Sequence, residues 1–117
     1  MKSFKILVCG GRNYNDQERI DEVLDLALLT LGHITIIHGN ARGADSCADV
    51  WAKSRKIDIL SYPADWGKYG KAAGFIRNKQ MLDEGKPDLI IAFPGGKGTD
   101  MMCDIASKAG VPIRRYK

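Results

Sequence analysis

The sequence predicts an α/β fold: one domain of three layers, with a five-stranded parallel sheet in the order 3-2-1-4-5 between two layers of helices. Two observations predict it. Short apolar runs alternate with amphipathic helical segments from end to end, and the connections between them are short. The chain has 117 residues, which suit one hydrophobic core. We therefore expect a single domain over residues 1–117.

The chain opens with a strand and a helix. "FKILVC" (4–9) is a nearly continuous apolar run, as expected of a strand covered on both faces. From Asp16 onwards the apolar residues recur at steps of three and four, which indicates one face of a helix. Asp16 is the expected N-cap of this helix and Gly32 its expected stop.

The rest of the chain repeats this alternation. Runs such as "ITIIH" and "DLIIAF" predict strands, and apolar stripes between the runs predict helices. In order, we expect a strand at 34–38, a helix at about 44–56, a strand at 57–62, a polar segment at 63–71, a helix at about 72–84, a strand at 88–93, a helix at 99–109 and a short strand at 111–116.

The composition excludes several classes of protein. With 44% hydrophobic and 27% charged residues, the balance is that of a folded, soluble domain. The apolar stretches are too short to span a bilayer, and the N-terminus does not resemble a secretion signal. Cys9, Cys47 and Cys103 are an odd number without metal-site spacing, so we expect no disulfide framework, no metal and a cytoplasmic location. The net charge of +4 mildly favours anionic partners.

Three glycine-rich loops follow the first, second and fourth strands, and each leads into a helix. They read "CGGRNYND" (9–16), "HGNARGAD" (38–45) and "PGGKGTD" (94–100). In a parallel sheet these loops meet at the carboxyl edge, and ligands bind where the strand order reverses. Helix N-termini offer free N–H groups to phosphate. We therefore expect the backbone N–H groups of the three loops to hold an anion or nucleotide. A set of tight turns is the alternative.

Two well-known phosphate-binding motifs are absent from these loops. The sequence matches neither G-x-x-x-x-G-K-[ST] nor G-x-G-x-x-G.

Charged residues beside the loops favour the same ligand. Arg12 and Arg42 lie within the first two loops, and Arg77 and Asn78 follow the third connection. Three guanidinium groups at one edge are suited to binding phosphate through pairs of N–H groups.

Other polar and aromatic residues have two interpretations each. Asp45 and Asp100 lie in the first turns of helices, where they either stabilise the helix dipole or act on the ligand. His38 ends a strand and fits a buried, hydrogen-bonded histidine. Trp66 and Tyr69, in "PADWGKYG", either stack on a base or pack within the loop.

Four stretches resemble a known family. "GGRNY", "HGNARGADSCADVWA", "YPADWGKYGKAAGFIRNKQML" and "DLIIAFPGGKGTDMM" are similar to the YspA-like (cpYpsA-related) branch of the SLOG (SMF/DprA–LOG) superfamily, from Gly10 to about Met102. The resemblance implies a Rossmann-like fold with a nucleotide-binding crevice. It leaves the activity open, because LOG members hydrolyse nucleoside 5′-monophosphates, other branches sense ADP-ribose-like signals, and DprA members bind single-stranded DNA.

The LOG motif is only partly present. LOG enzymes carry P-G-G-x-G-T-x-x-E with a catalytic glutamate, and that position is Met102 here. Methionine cannot accept a proton or stabilise a cationic transition state. Of the LOG motif R-K-x-x-M, Arg77 and Met81 match, and Asn78 replaces the lysine. The binding residues are thus retained while the acid/base residue is missing.

These observations lead to one main hypothesis about function. We expect the chain to bind a nucleotide-like small molecule as a sensor, carrier or sequestering module, without a cofactor or membrane partner. The alternatives are a hydrolase with Asp45 or Asp100 as base and, less favoured, a single-strand binder, because few aromatic residues alternate with basic ones. Whether the chain forms a homo-oligomer stays open. The expected ligand-binding residues are Gly10, Gly11, Arg12, Gly39, Arg42, Gly43, Arg77, Asn78, Pro94, Gly95, Gly96, Gly98 and Thr99.

Overall fold

The computed structural model describes residues 3–117 and confirms the alternation of strands and helices. The strands are β1 (Phe4–Cys9), β2 (Ile34–His38), β3 (Asp58–Ser61), β4 (Leu89–Ala92) and β5 (Ile113–Arg115). The helices are α1 (Gln17–Leu31), α2 (Ala44–Ser54), α3 (Trp66–Tyr69), α4 (Ala73–Gly85) and α5 (Lys97–Lys108), with a 3₁₀ helix at Gly70–Ala72 between α3 and α4.

The sheet has the predicted order. All neighbouring strands are parallel, and the order is β3-β2-β1-β4-β5. The central strand β1 pairs with β2 and β4, so that Ile6 is aligned with Ile36 on one side and with Leu89 on the other. The strand order therefore reverses between β1 and β4, as the sequence predicts.

Alternate residues of the sheet face two separate hydrophobic cores. On one face, Ile6 and Val8 of β1 pack with α1 and α2, including the fully buried Trp51. On the other face, Leu7 and Cys9 pack with α4 and α5. This arrangement gives the three expected layers of one domain, because successive strand residues point to opposite sides.

The polar segment predicted at 63–71 is more ordered than expected. It contains α3 and the 3₁₀ helix, and the carboxylate of Asp65 accepts the N–H of Lys68, at 3.0 Å, as the cap of α3. A helix of four residues is too short to show an apolar period. The last helix also begins earlier than predicted, at Lys97, because Gly96 is its N-cap.

Among residues 3–117, no helix combines the length and apolar character that crossing a bilayer requires.

The loops after β1, β2 and β4 are packed backbone against backbone. The N–H of Gly11 donates to the carbonyl of Pro94 at 2.8 Å, and the carbonyl of Gly11 accepts the N–H of Ala44 at 3.2 Å. A Cβ atom on Gly11 would lie 3.0 Å from the carbonyl oxygen of Pro94. The first loop is thus held between the other two, so closely that a side chain at Gly11 would require the Pro94 backbone to shift.

Gly43 meets the first loop even more closely. Its φ is +83°, and a Cβ atom there would lie 2.6 Å from the carbonyl carbon of Arg12 and closer still to the carbonyl oxygen of Gly11. Some of the glycines that suggested a ligand site are therefore required for contacts between loops.

This packing predicts a difference between two glycine-to-alanine changes. Gly43 and Gly110 have φ values of +83° and +81°, but a Cβ on Gly110 would meet nothing within 4 Å. Gly110→Ala should cost about 1 kcal/mol from the left-handed backbone alone. Gly43→Ala should cost roughly 2–4 kcal/mol, because the first loop must also move. Urea unfolding of both variants measures the difference, and equal losses would show that the loops are not tightly packed.

Candidate functional site

A cavity of about 680 Å³ opens at the carboxyl edge of the sheet, and we name it the large compartment. Its walls come from the loops after β1, β2 and β4 and from α3, α4 and α5. It therefore lies where the strand order reverses, in the position expected for a ligand site. Residues that line it are Cys9, Gly10, Gly11, Arg12, Ala41, Asp45, Trp66, Lys71, Gly74, Phe75, Arg77, Asn78, Met81, Gly96, Lys97, Gly98, Thr99, Met101 and Met102.

A second cavity of about 490 Å³ adjoins the first, and we name it the arginine compartment. The two compartments share Arg12, Ala41, Trp66 and Arg77. Three guanidinium groups line the second cavity, and its lining among residues 3–117 includes no carboxylate. The full lining is Arg12, Gly39, Asn40, Ala41, Arg42, Pro63, Ala64, Trp66 and Arg77.

Arg77 is the most constrained of the three arginines. Its Nη1–H donates to the carbonyl of Gly39, and its Nε–H donates to Oδ1 of Asn78 at 3.0 Å. Burial lowers the pKa of Arg77, while the charge of Asp45 opposes that change. The guanidinium stays protonated and has five N–H donors in all, so donors remain for a ligand.

Arg12 and Arg42 are held less firmly. The guanidinium of Arg12 lies 5.6 Å from the ring centroid of Trp66, a cation–π contact. Arg42 is exposed and has no hydrogen bond or ion pair with any described residue. Both side chains are therefore available to an anion without loss of strong internal bonds.

Asn78 joins α4 to the start of α5. Its side chain is buried, and its Nδ2–H donates to the carbonyl of Gly98 at 3.4 Å. In the first turn of α5, Gly96 and Gly98 have open space where a side chain would lie. No side chain caps this helix, so its first N–H groups have no side-chain partner, and Lys97 and Thr99 of its first turn also line the large compartment.

Asp45 is the only carboxylate among the described residues that line the large compartment. It is 7% exposed, and its Oδ2 accepts the N–H groups of Gly39 at 3.1 Å and Ala41 at 3.3 Å. Burial raises the pKa of the Asp45 carboxyl, and the N–H of Ala41 opposes the rise. Asp45 thus supports the second loop from inside the cavity wall.

His38 supports the same loop from behind. Its Nδ1 accepts the N–H of Asn40 at 2.9 Å, so Nε2 carries the proton and donates to Asp49 at 2.8 Å. The ring is 1% exposed. His38 is the buried, hydrogen-bonded histidine that the sequence suggested.

These bonds change how an anion would be held. The N–H groups of Gly39, Asn40 and Ala41 are all donated within the protein, and so is that of Gly11. An anion was expected to be held by backbone N–H groups of three loops, but these N–H groups of the second loop are already bonded. At the second loop, the arginine side chains remain to bind an anion. At the start of α5, by contrast, the first N–H groups have no side-chain cap, and Gly96, Lys97, Gly98 and Thr99 line the large compartment.

The structure brings most of the predicted site residues together and separates others. Asp100 is exposed, forms an ion pair with Arg115 at 3.3 Å and lines neither compartment. Pro94, Gly95 and Gly43 also lie outside both compartments, where they hold the loops. Predicted residues that line the site are Gly10, Gly11, Arg12, Gly39, Arg42, Asp45, Arg77, Asn78, Gly96, Gly98 and Thr99.

The ligand-binding residues predicted from the sequence do not include one wall of the site. Lys71, Phe75 and Met81 line the large compartment with Asn78, at steps of three or four along the chain. Residues three or four positions apart lie on the same face of a helix, so the position of Asn78 predicts that these residues face the same side. Among residues 3–117, no group of histidine, cysteine and carboxylate side chains is arranged to hold a metal ion.

Comparison with known proteins identifies the family. Residues 4–69, more than half of the chain, match the YspA, cpYpsA-related SLOG family (YAcAr). The chain is also 34% identical over 120 aligned residues to the Gene 61 protein of Mycobacterium phage D29, and the alignment covers 96% of this chain and 95% of that protein. The range matched to the family includes the first two glycine-rich loops, in which Arg12 and Arg42 lie. The chain therefore belongs to the YspA, cpYpsA-related SLOG family.

Proposed function

We propose that the chain binds a nucleotide, or a ligand derived from one, in the two compartments at the carboxyl edge of the sheet. The observation that carries this proposal is the arginine compartment, where Arg12, Arg42 and Arg77 converge without a carboxylate among the described lining residues. Three adjacent cations repel one another, and a phosphate group would relieve that repulsion. Membership of the SLOG family supports the same class of ligand.

The two compartments differ in chemistry as the two ends of a nucleotide do. The arginine compartment is cationic, whereas Met81, Met101 and Met102 give the large compartment an apolar wall. A volume of about 680 Å³ lies in the usual range for small-molecule sites. We place the phosphate near the arginines or the first turn of α5, and the ring end of the ligand against the apolar wall.

The site favours binding without hydrolysis. Met102, at the position of the LOG glutamate, is buried and lines the large compartment. Asp100 is outside the cavity and paired with Arg115. We therefore propose a sensor, carrier or sequestering module. A reducing compartment such as the cytoplasm suits its three free cysteines.

One observation favours a second candidate, a LOG-like hydrolase of nucleoside monophosphates or ADP-ribose-like compounds. Asp45 lines the large compartment, and burial raises the pKa of its carboxyl toward the range useful for proton transfer. Against this candidate, both backbone N–H bonds to Oδ2 require that carboxyl to hold the second loop in place.

Arg42→Ala should weaken binding without weakening the fold. The change removes a phosphate contact, which we expect to cost about 1.5–3 kcal/mol of ligand affinity. Calorimetry with adenosine 5′-monophosphate as the probe measures the loss, and the melting temperature should stay unchanged because Arg42 has no bond to the described protein residues. Arg114→Ala, at an exposed arginine outside both compartments, is the control. Equal affinities of the two variants would contradict the proposed phosphate position.

A panel of nucleotides separates the binder from the hydrolase. We expect no free base after long incubation of the wild-type protein with nucleoside monophosphates and ADP-ribose, as followed by chromatography. If base is released, Asp45→Asn should slow the release by about 10²–10⁴-fold. Asp100→Asn, which lies outside the cavity, should leave the rate unchanged. Release of free base that depends on Asp45 would contradict the binder and support the hydrolase. If no nucleotide binds in calorimetry, both candidate functions are wrong.

A further inference from the structure

Two aromatic side chains of the large compartment are unusually exposed. The sequence has three phenylalanines and two tryptophans. Trp51 and Phe93 are buried at 0% and 2% exposure, whereas Trp66 and Phe75 are 50% and 51% exposed. Both of the exposed rings line the large compartment. Leaving two large rings in water is unfavourable, and a ligand in the cavity would cover them.

Contacts on two sides determine the position of Trp66. Asp65 caps the short helix that carries it, and the guanidinium of Arg12 lies over its ring. The outer edge of the indole faces Gly74 of α4, where an added Cβ atom would lie 3.5 Å from Cη2. Because the indole also lines the arginine compartment, it stands at the junction of the cationic and apolar halves of the site.

We infer that Trp66 and Phe75 hold the aromatic base of the ligand, so that the site selects nucleotides with an intact base over sugar phosphates. This inference rests on the proposed function and adds the specificity of the same site. The base of a nucleotide is separated from its phosphate by one sugar, and Trp66 adjoins the compartment of the three arginines. Stacking accepts any base, because every base has a π face.

The neighbouring methionines fit the same ligand. Met81, Met101 and Met102 line the large compartment with the two rings. Thioether sulfur makes favourable contacts with aromatic rings and adapts to their shape. A sugar phosphate has no apolar ring to place against this wall and would leave both aromatic side chains exposed.

The test compares two kinds of ligand on one set of variants. Calorimetry would measure the affinity of each common nucleoside 5′-monophosphate and of ribose 5-phosphate. We expect at least one nucleotide to bind about tenfold or more tightly than ribose 5-phosphate. Trp66→Ala and Phe75→Ala should each weaken binding of that nucleotide by about tenfold. Phe75 lies outside the arginine compartment, so Phe75→Ala should leave the affinity for ribose 5-phosphate within about twofold. Trp66→Phe should retain part of the preference.

Tyr69→Ala is the matched control, because Tyr69 is an exposed aromatic residue of the same helix that lines neither compartment. This variant should bind both kinds of ligand like the wild type. Fluorescence gives a second readout, since Trp51 is fully buried and Trp66 is exposed. Nucleotides should quench the emission of Trp66, and ribose 5-phosphate should not.

The outcomes separate the inference from the function on which it rests. If ribose 5-phosphate binds as tightly as the nucleotides, or if Phe75→Ala weakens binding of both ligands equally, base stacking is wrong and the phosphate site stands. If none of these ligands binds, the proposed function fails and the inference fails with it.

Discussion

The carboxyl edge of this protein depends on the backbone of Gly11. Its N–H is bonded to Pro94, and its carbonyl accepts the N–H groups of Tyr14 and Ala44. One peptide segment thus joins the loops after all three central strands. The cause is the strand order, because β1 lies between β2 and β4 and its loop must pass between theirs. Without side chains at Gly11 and Gly43, the loops approach closely enough to form one continuous cavity wall.

This packing divides the tasks of the site between backbone and side chains. Asp45 and His38 accept the N–H groups of the second loop, so that loop is rigid but offers no free amides from Gly39, Asn40 or Ala41. The positive charges of the cavity walls come instead from the arginine side chains and from Lys71 and Lys97. Glycine-rich loops at a sheet edge can therefore serve two purposes, close packing of the loops and an open cavity. Gly11 and Gly43 have close neighbours in other loops, whereas Gly96 and Gly98 adjoin open space.

The fold was predictable because few arrangements satisfy a strict alternation of strands and helices with right-handed crossovers. The convergence of Arg12, Arg42 and Arg77 followed from the same rule, since all three adjoin loops at one edge. Helix rotation was harder to predict. Asp100 lies between residues that line the cavity, yet its carboxylate faces Arg115 instead. Phe75 was missed for a different reason, because the helical period that places it beside Asn78 was not extended along α4.

The contacts of Asp45 support the proposal of a binder over that of a hydrolase. A group that transfers protons must alternate between its charged and neutral forms. Burial raises the pKa of the Asp45 carboxyl, but its Oδ2 accepts two loop N–H groups, and these bonds favour the charged form. Protonation would weaken those bonds and loosen the loop that carries Arg42. Neutralising Asp45 would also remove the charge that balances the half-buried Arg77. Proton transfer at Asp45 would thus disturb Arg42 and Arg77, which line the arginine compartment, whereas binding of a ligand there would require no change in the charge of Asp45.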